Sequence, residues 1–181
     1  MDLVDLIREK RFLGQEFLTW LWYLSEVNSG LIQVKNFGTV EIWFEERMVL
    51  DSGQDNFRQS VTCQGRNLGL AEARTALRQG KKVSQARLRL TSADHVWRMT
   101  VKAEGFEITG LRLPNTIDPY EEGEASPAGR LLDRVALVQE LMNLLDRLFV
   151  QFLSTRLSDA WDDRDLAGIR QWLRDTKFDS K

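Results

Sequence analysis

Apolar and polar residues recur along this chain in two periods, and the change from one to the other marks its elements. Phe12, Leu13, Phe17, Leu18, Trp20, Leu21, Trp22, Tyr23 and Leu24 crowd the run from Phe12 to Ser25. A helix there is apolar nearly all round, so it has to be buried on more than one side. It reads as the central core helix with one edge in an interface, or as a helix covering a partner surface; the core reading is favoured. Between Gly30 and Asp51 the period drops to two. Val40, Ile42 and Phe44 alternate with Glu41, Trp43 and Glu45, which predicts a strand with one wetter face. Asn36-Phe37-Gly38 is a turn between two strands, and Ser60 to Gln64 is a further short strand.

Leu70 to Gln79 returns to a helical pattern, with Ala71, Ala73, Ala76 and Leu77 as good formers and Gly80 at the C′ position. Lys81 and Lys82 then lie just past the negative end of its dipole, which favours cations. Three strands follow. In Lys82–Leu90, Ala86, Leu88 and Leu90 face one way and Gln85, Arg87 and Arg89 the other. In His95–Lys102, Trp97, Met99 and Val101 alternate with Arg98, Thr100 and Lys102. In Phe106–Leu113 the alternation changes phase near Gly110, the mark of a bulge. The short polar gaps between these strands predict an antiparallel meander.

Residues 114–127 form a polar linker carrying Asp118, Glu121, Glu122 and Glu124. Ser126 and Pro127 suit the cap and first position of a helix running to about Leu157. That helix has two apolar stripes. Leu131, Val135, Val138, Met142, Leu145, Phe149 and Phe152 form a heptad stripe, and Leu137, Leu141, Leu144 and Leu148 lie beside it. One stripe packs on the sheet or the Trp-rich helix. The other serves self-association, or is buried within the same chain. A short helix over Asp163–Arg174 carries Leu166, Ile169, Trp172 and Leu173 on one face and clips back onto the long one. The fold class expected is α+β: an antiparallel sheet packed by an N-terminal Trp-rich helix and a long C-terminal helix. Its parts are a sheet domain over 1–113, the acidic linker over 114–127, and a helical segment over 128–181 packing on the same core.

Composition narrows the chemistry. A chain of 181 residues with 43% hydrophobic and 29% charged residues builds a core without disulfides or metals. One cysteine, Cys63, excludes an internal disulfide, and its place in an alternating run reads as core. One histidine, His95, with no nucleophile motif argues against a catalytic triad. No phosphate loop exists, because Gly80-Lys81-Lys82 lacks the upstream glycine and the hydroxyl residue. Glu41, Glu45, Glu46 and Asp51 are expected on exposed strand edges rather than converging on a cation, which disfavours nuclease chemistry. No enzyme, metal or cofactor is expected. Met1 to Lys10 lacks an apolar core of a signal peptide, and no apolar run reaches membrane length, so a cytoplasmic protein with no membrane partner is expected.

Charge is the informative remainder. From Arg58 to Arg112 there are eleven Lys/Arg against four Asp/Glu, a net +7, whereas the rest of the chain is −9. Local charge decides where a polyanion docks. The meander puts Arg87, Arg89, Arg98 and Lys102 on one sheet face, and the preceding helix and its loop add Arg78, Lys81 and Lys82. These seven are the candidate phosphate contacts. Neighbouring like charges repel, a modest cost that a bound anion relieves. The competing account is a solvated face whose arginine stems cover the sheet. Six contacts to duplex DNA would give a log–log salt slope of about −5.

Three segments carry a resemblance: Phe12 to Trp22, Glu72 to Val83, and Ala86-Arg87-Leu88-Arg89-Leu90. With the Trp97 strand, the run Gly105-Phe106 through Leu111-Arg112-Leu113-Pro114 and the long helix after it, they resemble the C-terminal part of the bacterial recombination-associated RdgC proteins. The resemblance implies a non-enzymatic, nucleoid-associated protein of recombination or replication. It would bind duplex DNA with little sequence preference, with single strands as a further form, and restrain a RecA-type recombinase. It also implies a homodimeric ring. The resemblance extends over the C-terminal part of full-length members and not their N-terminal half, which leaves ring closure open as an expectation. The rival function is a protein-interaction or oligomerisation module that works through Leu131–Leu153 and binds no nucleic acid; there, Leu144→Glu would disturb assembly.

Overall fold

The computed structural model describes residues 11–52, 60–64, 70–114 and 127–175. The acidic positions Asp118, Glu121, Glu122 and Glu124 and the Ser126 cap lie outside those residues. Helix α1 spans Arg11–Val27 and is followed by strands β1 (Leu31–Val34), β2 (Gly38–Asp51) and β3 (Ser60–Gln64). Helix α2 (Leu70–Arg78) leads into β4 (Lys82–Ser92), β5 (His95–Lys102) and β6 (Glu107–Arg112). The long helix α3 covers Pro127–Arg156, and a π-helical turn over Trp161–Leu166 opens onto α4, Ala167–Arg174.

The fold is α+β. Six strands form one antiparallel sheet in the order β1-β2-β4-β5-β6, with β3 pairing to β2 beside β1. The meander β4-β5-β6 is the predicted one. The bulge near Gly110 is present too, since two residues lie between Thr109 and Arg112 where one lies between Arg98 and Thr100. Strand β2 carries a larger irregularity: the three residues between Phe44 and Met48 oppose one residue on β4. At the end of α2, the Gly80 N–H donates to the Leu77 carbonyl and the Lys81 N–H to the Ala76 carbonyl, the Schellman pattern expected of a glycine at φ +85°.

The described helices lie on one side of the sheet. Phe17, Leu18, Trp20, Leu21 and Trp22 of α1 are buried against β2 and β4 on one side and against α3 and α4 on others. This explains a helix apolar nearly all round. Phe17 meets Phe106, Phe149 and Phe152 at 5.2, 5.3 and 5.7 Å, and Trp22 meets Trp172 at 5.0 Å, so aromatic edges and faces knit three helices together. Close approach of α1 to the β5–β6 connection needs Gly14, where a Cβ would collide with the Ala103 carbonyl. Cys63 is buried, and desolvation with the Glu72 carboxylate nearby pushes its thiol up, so it is a core residue.

Candidate nucleic-acid interface

Among the described residues the other sheet face carries no helix, and pleat and register decide what stands on it. Ala86, Leu88 and Leu90 of β4 and Trp97, Met99 and Val101 of β5 are buried on the helix side. Arg87, Arg89, Arg98, Thr100 and Lys102 therefore point to the open side. Arg89 is directly opposite Arg98, Arg87 is opposite Thr100, and Gln85 is opposite Lys102. Trp97 faces the core, where its Nε1–H donates to the Leu137 carbonyl at 3.2 Å.

Three further groups share this face and were not assigned to it from sequence. Arg112 pairs with Arg98 across β5–β6, brought there by the bulge. Trp43 pairs with Arg89 across β2–β4. Glu41 and Glu45 lie beside it on β2, a strand paired on both flanks, and not on an exposed edge as expected. The alternation Glu41-Trp43-Glu45 marked a wetter face, but the pairing of β2 with β4 spans an intervening helix and strand. No local pattern announces that register.

The acids change the electrostatics. Glu45 lies 3.3 Å from the Arg89 Nε and 3.4 Å from the Arg98 Nε, so one carboxylate bridges both arginines. The Arg89 contact is an ion pair without hydrogen-bond geometry, leaving that buried N–H unsatisfied. Glu41 accepts from the Trp43 indole N–H at 2.6 Å and lies 3.6 Å from an Arg89 terminal nitrogen. Lys102 is paired with Glu107 at 2.9 Å. The face thus sets Arg87, Arg89, Arg98, Lys102 and Arg112 against Glu41, Glu45 and Glu107.

The other three predicted contacts are elsewhere. Arg78 is at the α2–α4 junction, where its Nε donates to the Leu173 carbonyl at 2.5 Å. One helical turn before it, Arg74 is 1% exposed, donates to the Trp172 and Asp175 carbonyls, and lies over the Trp172 ring at 5.1 Å. These two arginines close the carbonyl end of α4, where cations are favoured. Lys81 and Lys82 line a cleft of about 310 Å³ on the helix side with Glu16, Arg156 and Trp161. Glu16 holds Lys82 at 3.6 Å and Arg156 at 2.9 Å, tying α1, α3 and the start of β4 together. Arg78, Lys81 and Lys82 are therefore separated from the sheet-face set.

Helix α3 divides along its length. Leu137, Leu141, Leu144 and Leu148 are all buried in the core, so the second stripe is consumed within the chain. The first stripe is buried at Leu145, Phe149 and Phe152 but exposed nearer the N-terminus: Leu131 is 63% exposed, Val135 53% and Met142 44%, with Leu132 beside them at 69%.

Among the described residues, no three of His, Cys, Asp and Glu converge as a metal site, and no helix is long and apolar enough to cross a membrane. No family model matches this chain, and neither a curated protein nor a solved structure matches it.

Proposed function

We propose that this chain is a non-enzymatic, sequence-independent DNA-binding protein whose open sheet face holds phosphates. The observation that carries the reading is the line of three arginines, Arg89, Arg98 and Arg112, side by side on three adjacent strands. Like charges directly opposite one another weaken a sheet. Glu45 bridges two of the three. A polyanion laid along the row would add further compensation for these adjacent like charges. Guanidinium groups suit phosphate because their fork of N–H donors matches its oxygens. Base reading is not part of the proposal, since phosphate contacts position without specifying. A role in recombination or replication, and linkage to a RecA-type recombinase, come from the RdgC resemblance.

The test is a fluorescence-polarisation titration of labelled oligonucleotides of unrelated sequence at two salt concentrations. Salt-sensitive binding that is strongly weakened, with a shallower salt slope, on changing Arg89, Arg98 and Arg112 together to Gln is the expected result. No binding at low salt by folded protein would sink the reading.

A second reading is favoured by the exposed end of α3. Leu131, Leu132, Val135 and Met142 leave an apolar patch exposed near the start of α3, the kind of surface that marks an interaction site. A second copy of this chain meeting it there would bury the patch in a homodimer. Leu144 is not the residue to probe this, because it is fully buried and its change to Glu would unfold the chain. Changing Leu131 and Leu132 to Asp leaves the core intact. A fall in sedimentation mass to that of one chain would support the second reading, and an unchanged mass would remove it.

A further inference from the structure

We infer that the open face selects single-stranded nucleic acid, with one base stacked on the indole of Trp43 and the adjoining phosphates held by Arg89, Arg98 and Arg112. The inference rests on the phosphate-binding reading and names the form of nucleic acid that the face takes. Trp43, Arg89, Arg98 and Arg112 are successive partners in the register of β2, β4, β5 and β6. They make one row across four adjacent strands, about 14 Å from end to end at ordinary strand spacing. An aromatic group thus heads a line of cations, the pairing that single-strand binders use to hold bases by their faces and the backbone by its charge.

Trp43 differs from every other tryptophan in the chain. Trp20, Trp22, Trp97, Trp161 and Trp172 are all buried, at 7% exposure or less. Trp43 alone is half-buried on the open side. Its ring is also fixed in place. The indole N–H is held by Glu41 at 2.6 Å, and the ring packs on Gly30, where a Cβ would come within 2.6 Å of it. Gly30 sits at φ +83°, a conformation other residues resist, so this seat for the ring is built into the turn before β1. A ring already held loses little freedom when a base settles on it. In a duplex the base faces are stacked on each other and hidden; a single strand presents them.

Glu45 sets the threshold for entry. It occupies Arg89 and Arg98 from 3.3 and 3.4 Å, and a phosphate docking on that pair takes over the position of its carboxylate. Partly exposed ion pairs of this kind contribute little, so the exchange is close to even.

The experiment compares a labelled oligothymidylate with its duplex on oligoadenylate, using the full chain. In the unmodified protein the single strand is expected to bind more tightly and to quench tryptophan emission, because Trp43 is the reachable indole. Trp43→Leu should weaken single-strand binding about tenfold and leave duplex binding unchanged, while Trp43→Phe should keep most of the single-strand affinity. If Trp43→Leu, shown folded by circular dichroism, leaves the ratio of single-strand to duplex affinity unchanged, Trp43 is only a cover for Gly30 and the inference falls. Absence of quenching by a bound single strand would overturn it without any variant. The parent reading fails separately, when the triple arginine change leaves binding intact or neither nucleic acid binds.

Discussion

The two faces of β4 and β5 share one backbone and differ in everything else. On the helix side, Ala86, Leu88, Leu90, Trp97, Met99 and Val101 are at most 1% exposed and belong to one continuous core with α1 and α3. On the open side, Arg87, Arg89, Arg98 and Lys102 are half-buried among carboxylates. Successive residues of one strand thus do unrelated work. One set is fixed by packing, where a lost methylene leaves a void. The other is only partly packed and carries charge set among carboxylates. Stability should be concentrated on the first face and ligand affinity on the second.

Five changes break or sharpen that contrast. The largest effect is expected from Trp97→Ala on the core face. It removes a fully buried ring and its hydrogen bond to Leu137, costing about 4 kcal/mol in a urea titration. A smaller effect comes from the same residue type in two settings. Arg74→Gln strips the clamp on the end of α4 and should cost about 2 kcal/mol, whereas Arg89→Gln should cost under about 0.5 kcal/mol. Equal losses from these two would erase the distinction between a structural arginine and a surface one. Next, changing Arg89, Arg98 and Arg112 to Gln should leave the urea midpoint nearly unmoved while lowering the salt slope of single-strand binding by about 2. The smallest change is Glu45→Gln, which should tighten nucleic-acid binding about threefold at low salt by freeing Arg89 and Arg98. A looser complex would mean that Glu45 orients the arginines rather than competing for them.

Much of this was legible along the chain. Strand β5 and strand β3 have the predicted bounds, and α1, α2 and α3 agree to within a residue or two at most ends, because period and turn chemistry are local signals. The start of α4 was less legible. The helical pattern from Asp163 extends into a π-helical turn over Trp161–Leu166, since side-chain spacing does not tell i→i+4 bonding from i→i+5. The candidate face was half legible. Alternation placed Arg87, Arg89, Arg98 and Lys102 together, but it also admitted Arg78, Lys81 and Lys82 on charge alone. Their positions depend on where α2 and α4 meet, which sequence spacing does not encode.

By itself the sequence determined the elements, the bulge at Gly110 and the side of β4 and β5 that each residue takes. These follow from backbone geometry that repeats every two or 3.6 residues. Only the tertiary structure decided which neighbours those residues meet. Pairing β2 with β4 brought Trp43, Glu41 and Glu45 to the arginines, and packing α3 against β1 and α1 buried one part of its stripe and left Leu131 and Val135 in water. Such contacts join residues dozens of positions apart. Their register is set by how whole elements share a core, so no stretch of chain contains it.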